Sequence, residues 1–188
     1  DLGLPSGVKG SSHNIGANRP QDDGDYYAWG ETTLKTDFRW ATYAHGTGYK
    51  SLTKYSNSDG LLSLDATDDA ASCTWGGTWR MPTKDEWIEL QENCVWTWTD
   101  DYNQTGVAGY VVASKSSDAS LFLPAAGCRY ANQFNEKGIH GYYWSSSLHQ
   151  NSTYYGSAYQ LQFFQDYFKP DWNYTRYYGS SVRGVCKP

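Results

Sequence analysis

Four histidines, four cysteines and one acidic turn are the residues of this 188-residue chain that could do bond-making chemistry. His13, His45, His140 and His149 are scattered and lack the close spacing of a metal-binding pair. Cys73, Cys94, Cys128 and Cys186 lie 21, 34 and 58 residues apart. Without a C-x-x-C that spacing argues against zinc, and it leaves open either two disulfides in any of three connectivities or four small buried thiols. Asp22-Asp23-Gly24-Asp25 gathers the oxygen ligands calcium needs, but not at EF-hand spacing, and reads as a solvated turn. No G-x-S-x-G elbow, H-E-x-x-H or P-loop occurs. Carboxylates far apart in sequence could still converge as a glycosidase pair. The expectation is a non-enzymatic chain with no cofactor and no metal.

Recognition has a positive signature. Of the 37 residues from 142 to 178, 14 are Tyr, Trp or Phe, and only Asp166, Lys169, Asp171 and Arg176 are charged. The remainder are mostly Ser, Asn, Gln, Thr and Gly. Rigid amphipathic rings among small polar groups make a contact surface, whereas a core would use Leu, Ile and Val. The candidate ligand-binding residues are His149, Tyr154, Tyr155, Gln160, Gln162, Phe164, Asp166, Tyr167, Asp171, Trp172, Asn173, Tyr174 and Tyr177. Among the rings, Tyr142, Tyr143, Trp144, Tyr159 and Phe163 are expected to pack inward. Tyr154, Tyr155, Tyr167, Trp172, Tyr174 and Tyr177 are expected to be exposed. Arg183, inside a predicted strand, suits buried hydrogen bonds better than ligand contact.

The elements that must position this surface are short. Thr83-Lys84-Asp85-Glu86 is a capping box, and Trp87, Leu90 and Cys94 share one helical face, so a helix is predicted over 84–93. Ser63 or Asp65 could cap a second short helix over 66–71. Strands are predicted over 8–12, 26–30, 95–99, 109–113, 121–123, 158–164 and 182–186. Along 158–164 the alternation turns Tyr159, Leu161 and Phe163 inward and Gln160, Gln162 and Phe164 outward. Segments 32–57, 132–140 and 165–180 read as loops or irregular ribbon. The result is one α+β domain over 1–188, its binding region at 148–180.

Bulk composition narrows the partners. Net charge is −5 with no basic cluster, which disfavours nucleic acid. No apolar run approaches 18 residues, so no inserted helix is expected. Mean hydropathy is −0.72 although 39% of residues are hydrophobic, because nine Trp and seventeen Tyr take up packing that aliphatic residues usually supply.

Several phrases, in order along the chain, resemble a known family. They are Asp1-Leu2-Gly3-Leu4-Pro5-Ser6-Gly7-Val8-Lys9, Asp25-Tyr26-Tyr27-Ala28-Trp29-Gly30-Glu31-Thr32 and Trp75-Gly76-Gly77-Thr78-Trp79-Arg80-Met81-Pro82-Thr83 with Glu86-Trp87. Leu123-Pro124-Ala125-Ala126-Gly127, Gly141-Tyr142-Tyr143-Trp144-Ser145-Ser146-Ser147 and Ser181-Val182-Arg183-Gly184-Val185 complete them. Together they resemble the Fibrobacter succinogenes major paralogous domain, found on the surface of gut Bacteroidetes. The resemblance implies a C-type-lectin-like fold: a small twisted antiparallel sheet, two short helices, long loops, and N- and C-terminal strands brought together.

A narrower resemblance is to the variable proteins of diversity-generating retroelements, whose C-terminal residues are randomised by mutating adenines. Segment 148–180 is rich in the products of mutated Asn codons, including Tyr, Ser, Asp, Thr and His. This implies a cell-surface or pilus-tip adhesin, a monomeric module of a larger protein. Its target would be a protein receptor or glycan on another cell, phage or host surface. Lys169-Pro170-Asp171-Trp172-Asn173 resembles joined fragments of calcium-lectin motifs, but Tyr174 replaces the last carboxylate, so calcium-dependent sugar binding is not expected. The alternatives are an enzyme of formylglycine-generating or glycan-processing type, or a structural pilus or surface subunit.

Overall fold

A computed structural model describes residues 1–56, 58–150 and 156–187. In chain order the strands and helices are β1 (Lys9–Gly10), β2 (Tyr26–Tyr27), α1 (Ala70–Trp75), β3 (Trp79–Arg80), α2 (Lys84–Asn93), β4 (Cys94–Thr99), β5 (Gly109–Ser114) and β6 (Ser120–Pro124). They continue with β7 (Cys128–Tyr130), β8 (Gln133–Asn135), β9 (Gly141–Leu148), β10 (Ser157–Phe164), β11 (Tyr167–Thr175), β12 (Ser180–Ser181) and β13 (Val185–Cys186). The architecture is α+β. A five-stranded sheet runs β11-β10-β9-β12-β2, and two three-stranded sheets run β4-β5-β6 and β1-β13-β3. All pairings are antiparallel except that of β12 with β9. Lys9 pairs with Cys186, so the terminal strands do meet.

The capping box sets the start of α2. Thr83 Oγ1 accepts from the Glu86 N–H at 3.2 Å, and Glu86 Oε2 accepts from the Thr83 N–H at 2.8 Å. Glu86 also takes a two-pronged bond from Arg80, at 2.7 and 2.5 Å. Burial alone would raise the Glu86 carboxyl; Arg80 and the Thr83 N–H outweigh it and hold the group below its usual range. Trp87 and Leu90 are buried on the predicted face.

The other helix lies further along than expected. A 3₁₀ turn occupies Ala66–Asp68 and α1 follows, capped by Asp69, whose carboxylate accepts from the Ser72 N–H at 2.9 Å and from the Met81 N–H. Neither Ser63 nor Asp65 caps it. Asp69 wins because one buried carboxylate satisfies two separate backbone donors, the helix start and the β3 exit.

Arg183 stitches the sheets together. It is 1% exposed and donates to Asn14 Oδ1 at 2.9 Å, to the Ser11 carbonyl at 3.2 Å and to the Phe122 carbonyl at 2.8 Å. Burial lowers its pKa to about 10. Its position separates β12 from β13, so the single strand expected over 182–186 is two short strands in different sheets. Segment 132–140 also differs from its loop expectation: β8 folds back on β7 in a hairpin.

A candidate contact face on the β9–β11 sheet

The segment after residue 165 was expected to be irregular; it forms the nine-residue edge strand β11. Side chains of directly paired residues share a face, and the register therefore assigns them. Tyr167 pairs with Phe164, Lys169 with Gln162, Trp172 with Gln160 and Tyr174 with Ala158. Pro170 and Asp171 together stand opposite Leu161 alone, which is a β-bulge. Strict alternation would send Tyr167 and Lys169 to one face and Trp172 and Tyr174 to the other. The extra residue reverses the alternation, so all four reach the same face. In β9, Trp144 and Tyr142 stand on the same side opposite Gln160 and Gln162, but Trp144 is fully buried in a second core with Trp29, Tyr55, Ala158 and Val182. The reverse face carries Leu161, Phe163 and Phe168, packed with Trp87, Tyr110 and Tyr143 in the main core.

On the contact face the rings touch in series. Tyr167 stacks on Phe164 at 4.8 Å, Phe164 meets His140 at 5.0 Å, and His140 stacks on Tyr142 at 5.8 Å. Tyr142 stacks on Tyr174 at 5.4 Å, and Tyr174 meets Tyr178 at 4.6 Å. Tyr178 then stacks on Tyr130 and on Tyr177, and Tyr177 meets Trp40. Phe164 and Tyr167 are each 37% exposed and Trp172 38%. Beneath them Tyr142 is buried and Tyr174 half-buried. The inner layer is held by polar contacts: the Tyr142 hydroxyl donates to Glu136, and Gln162 Nε2 donates to the Tyr142 hydroxyl at 3.4 Å. Burial pushes the Tyr142, Tyr174 and Tyr177 hydroxyls up, so these rings are neutral phenols at physiological pH.

The expected site residues thus divide. Phe164, Tyr167 and Trp172 lie exposed on the ring face, with Gln162 half-buried on it, and Asp166 and Asp171 are exposed at the hairpin turn and the bulge. Gln160 points to the expected face but is fully buried, its amide oxygen accepting from Ser180 Oγ at 3.3 Å. The reason is that its cross-strand partner Trp144 and neighbouring Ala158 belong to the second core with Trp29, Tyr55 and Val182, which covers this part of the sheet. His149 is 9% exposed, edge-on to Tyr159 at 4.8 Å, and burial lowers its pKa. Asn173 pairs with Tyr159 and so faces away from the ring layer. Tyr174 and Tyr177, expected to be exposed, are half-buried members of that layer. Tyr159, expected inside, is half-buried with Lys84 5.1 Å from its ring centre. Tyr154 and Tyr155 lie outside the described residues.

The face also draws on residues far from the C-terminus. Tyr130 is 43% exposed and stacks 5.3 Å from Tyr178; Trp40 closes the series 5.1 Å from Tyr177. The signal for Tyr130 was the short run Cys128-Arg129-Tyr130 and Gln133-Phe134-Asn135 around a turn, which has hairpin form but little hydrophobic alternation. No local pattern marks Trp40.

Other chemistry is sparse among the described residues. No group of three or more His, Cys, Asp or Glu side chains is placed to hold a metal ion. Asp22 pairs with Arg19 at 2.8 Å and Asp23 with Lys137. All four cysteines are free thiols. Cys94 and Cys128 are buried, Cys186 is half-buried and Cys73 is exposed; burial raises Cys128 to about 11. No described helix is long and apolar enough to cross a membrane. A scan against protein-family models finds no match to this chain, and searches of curated proteins and of solved structures find none either.

Proposed function

We propose that the chain is a C-type-lectin-like ligand-binding module whose contact surface is the ring-bearing face of β9–β11. Its place is the surface of a bacterial cell, in the manner of the Fibrobacter paralogous domain and the diversified adhesins it resembles. Its target is a protein receptor or a glycan on another cell, phage or host surface. One observation carries the reading: Phe164, Tyr167 and Trp172 are turned to solvent on one face, and the first two top a packed aromatic layer. Exposed rings of this kind give large contact area for little lost side-chain entropy, and they dominate binding hot spots. The packed layer beneath lowers the ordering cost of binding.

The test is the combined substitution Phe164→Ser, Tyr167→Ser and Trp172→Ser, compared with wild type on a glycan array and on intact bacterial and epithelial cells. Selective wild-type binding is expected to vanish in the variant while the melting temperature moves by no more than about 5 °C. Retained binding, or a collapse of the melting temperature, overturns the reading.

A further inference from the structure

Resting on that assignment of the contact face, we infer that the face selects a cationic group on its target, the ammonium or guanidinium of a basic protein surface, and that Lys169 is a built-in occupant of the same position. Lys169 lies on the ring face opposite Gln162, between Tyr167 and Trp172 along β11. Its ammonium stands 5.1 Å from the centre of the Trp172 ring and 3.9 Å from the Asp171 carboxylate. The protein therefore already rests a cation on its own most exposed indole, tethered by the residue that makes the bulge. Ring faces attract cations through their quadrupole, and a partner's lysine or arginine can take the place that Lys169 gives up.

The surrounding charge has the matching sign. Asp166 is exposed at the turn that precedes Tyr167, and Glu136, half open to solvent, borders the layer through Tyr142. The neighbouring cations are already engaged: Lys137 with Asp23, and Arg129 between the Phe38 and Phe134 rings at 5.4 and 4.2 Å. An incoming anion would meet the Asp166 and Glu136 carboxylates and would have to draw Lys169 from Asp171. An incoming cation meets carboxylates and a ring that already accepts an ammonium. The net charge of −5 adds long-range attraction for a basic partner.

The experiment titrates the protein at constant ionic strength with tetramethylammonium chloride, sodium acetate and methyl glucoside in turn. The readout is the NMR signal of the Trp172 indole N–H, assigned by its loss in Trp172→Phe. In wild type, tetramethylammonium is expected to move the signal weakly and acetate not at all. Lys169→Gln vacates the ring and should tighten tetramethylammonium binding about two- to fivefold, and Asp166→Asn in that background should weaken it again. An unchanged or weaker constant in Lys169→Gln, or a larger response to acetate, overturns the inference. A response to methyl glucoside alone also overturns it and points to a glycan target, leaving the ring face as the contact surface. Silence of the signal to all three refutes cation selection, and the triple ring variant on arrays and cells then decides the contact face separately.

Discussion

The two faces of the β10–β11 hairpin are built from similar rings and do opposite work. On one, Leu161, Phe163 and Phe168 are sealed: Phe163 is fully buried and Phe168 stacks on Trp96 at 4.7 Å. On the other, Phe164, Tyr167 and Trp172 stay more than a third open although the first two stack on each other and the third lies under the Lys169 ammonium. What separates them is the layer opposite. The sealed face meets α2 and the β4-β5-β6 sheet; the other is sealed only toward Ala158 and Trp144, which lie in a second core with Trp29, Tyr55 and Val182, and stays open around Phe164, Tyr167 and Trp172. Aromatic content alone therefore does not say whether a ring serves stability or contact; the partner layer decides.

The sharpest way to break this comparison is to truncate one ring on each face. Phe163→Ala removes a fully buried ring from the main core and should cost about 3–5 kcal/mol in chemical denaturation, the range for a large core truncation. A cost under about 1 kcal/mol would mean the sealed face is not the stabilising one.

A medium effect comes from the helix that does the sealing. Glu86 is ionised and held below its usual 4.5 in the fold, so its contribution is present above that value and fades as pH falls through the lower folded one. Glu86→Gln should cost about 1–3 kcal/mol at pH 7, the worth of charge-assisted hydrogen bonds to Arg80. The variant and wild type should converge once pH has fallen below 4.5 and through the depressed folded-state value. Parallel stability curves across pH 7 to 3 would show that Arg80 and Glu86 are not coupled.

The smallest effect is expected on the open face. Trp172→Ala should change stability by no more than about 0.5 kcal/mol, as for exposed positions without structural duties. A loss comparable to that of Phe163→Ala would erase the distinction between the faces and make the open rings part of the core.

Much of the frame was legible in advance. The capping box marked α2 to the residue, because its start signal is local and chemically specific. The strands at Cys94–Thr99 and Ser157–Phe164 followed from period-two patterning, and those at Gly109–Ser114 and Ser120–Pro124 from compact apolar runs. The buried role of Arg183 followed from a lone cation inside an apolar strand. Within the site the reading was mixed. Tyr167 and Trp172 were placed correctly, but Gln160 and His149 were not, since a polar side chain gives no sign that a distant part of the core will cover it.

The amino-acid sequence by itself determined that the chain is α+β, where its one long helix begins, and that its C-terminal third is dense in rings among small polar groups. These are consequences of spacing and residue type within a few positions. Tertiary structure alone decided which rings see solvent. The Pro170–Asp171 bulge reverses the alternation of β11 against β10, and Tyr130 and Trp40 arrive from distant segments to extend the layer. Both depend on which strand lies beside which, a matter of long-range pairing that no local pattern encodes.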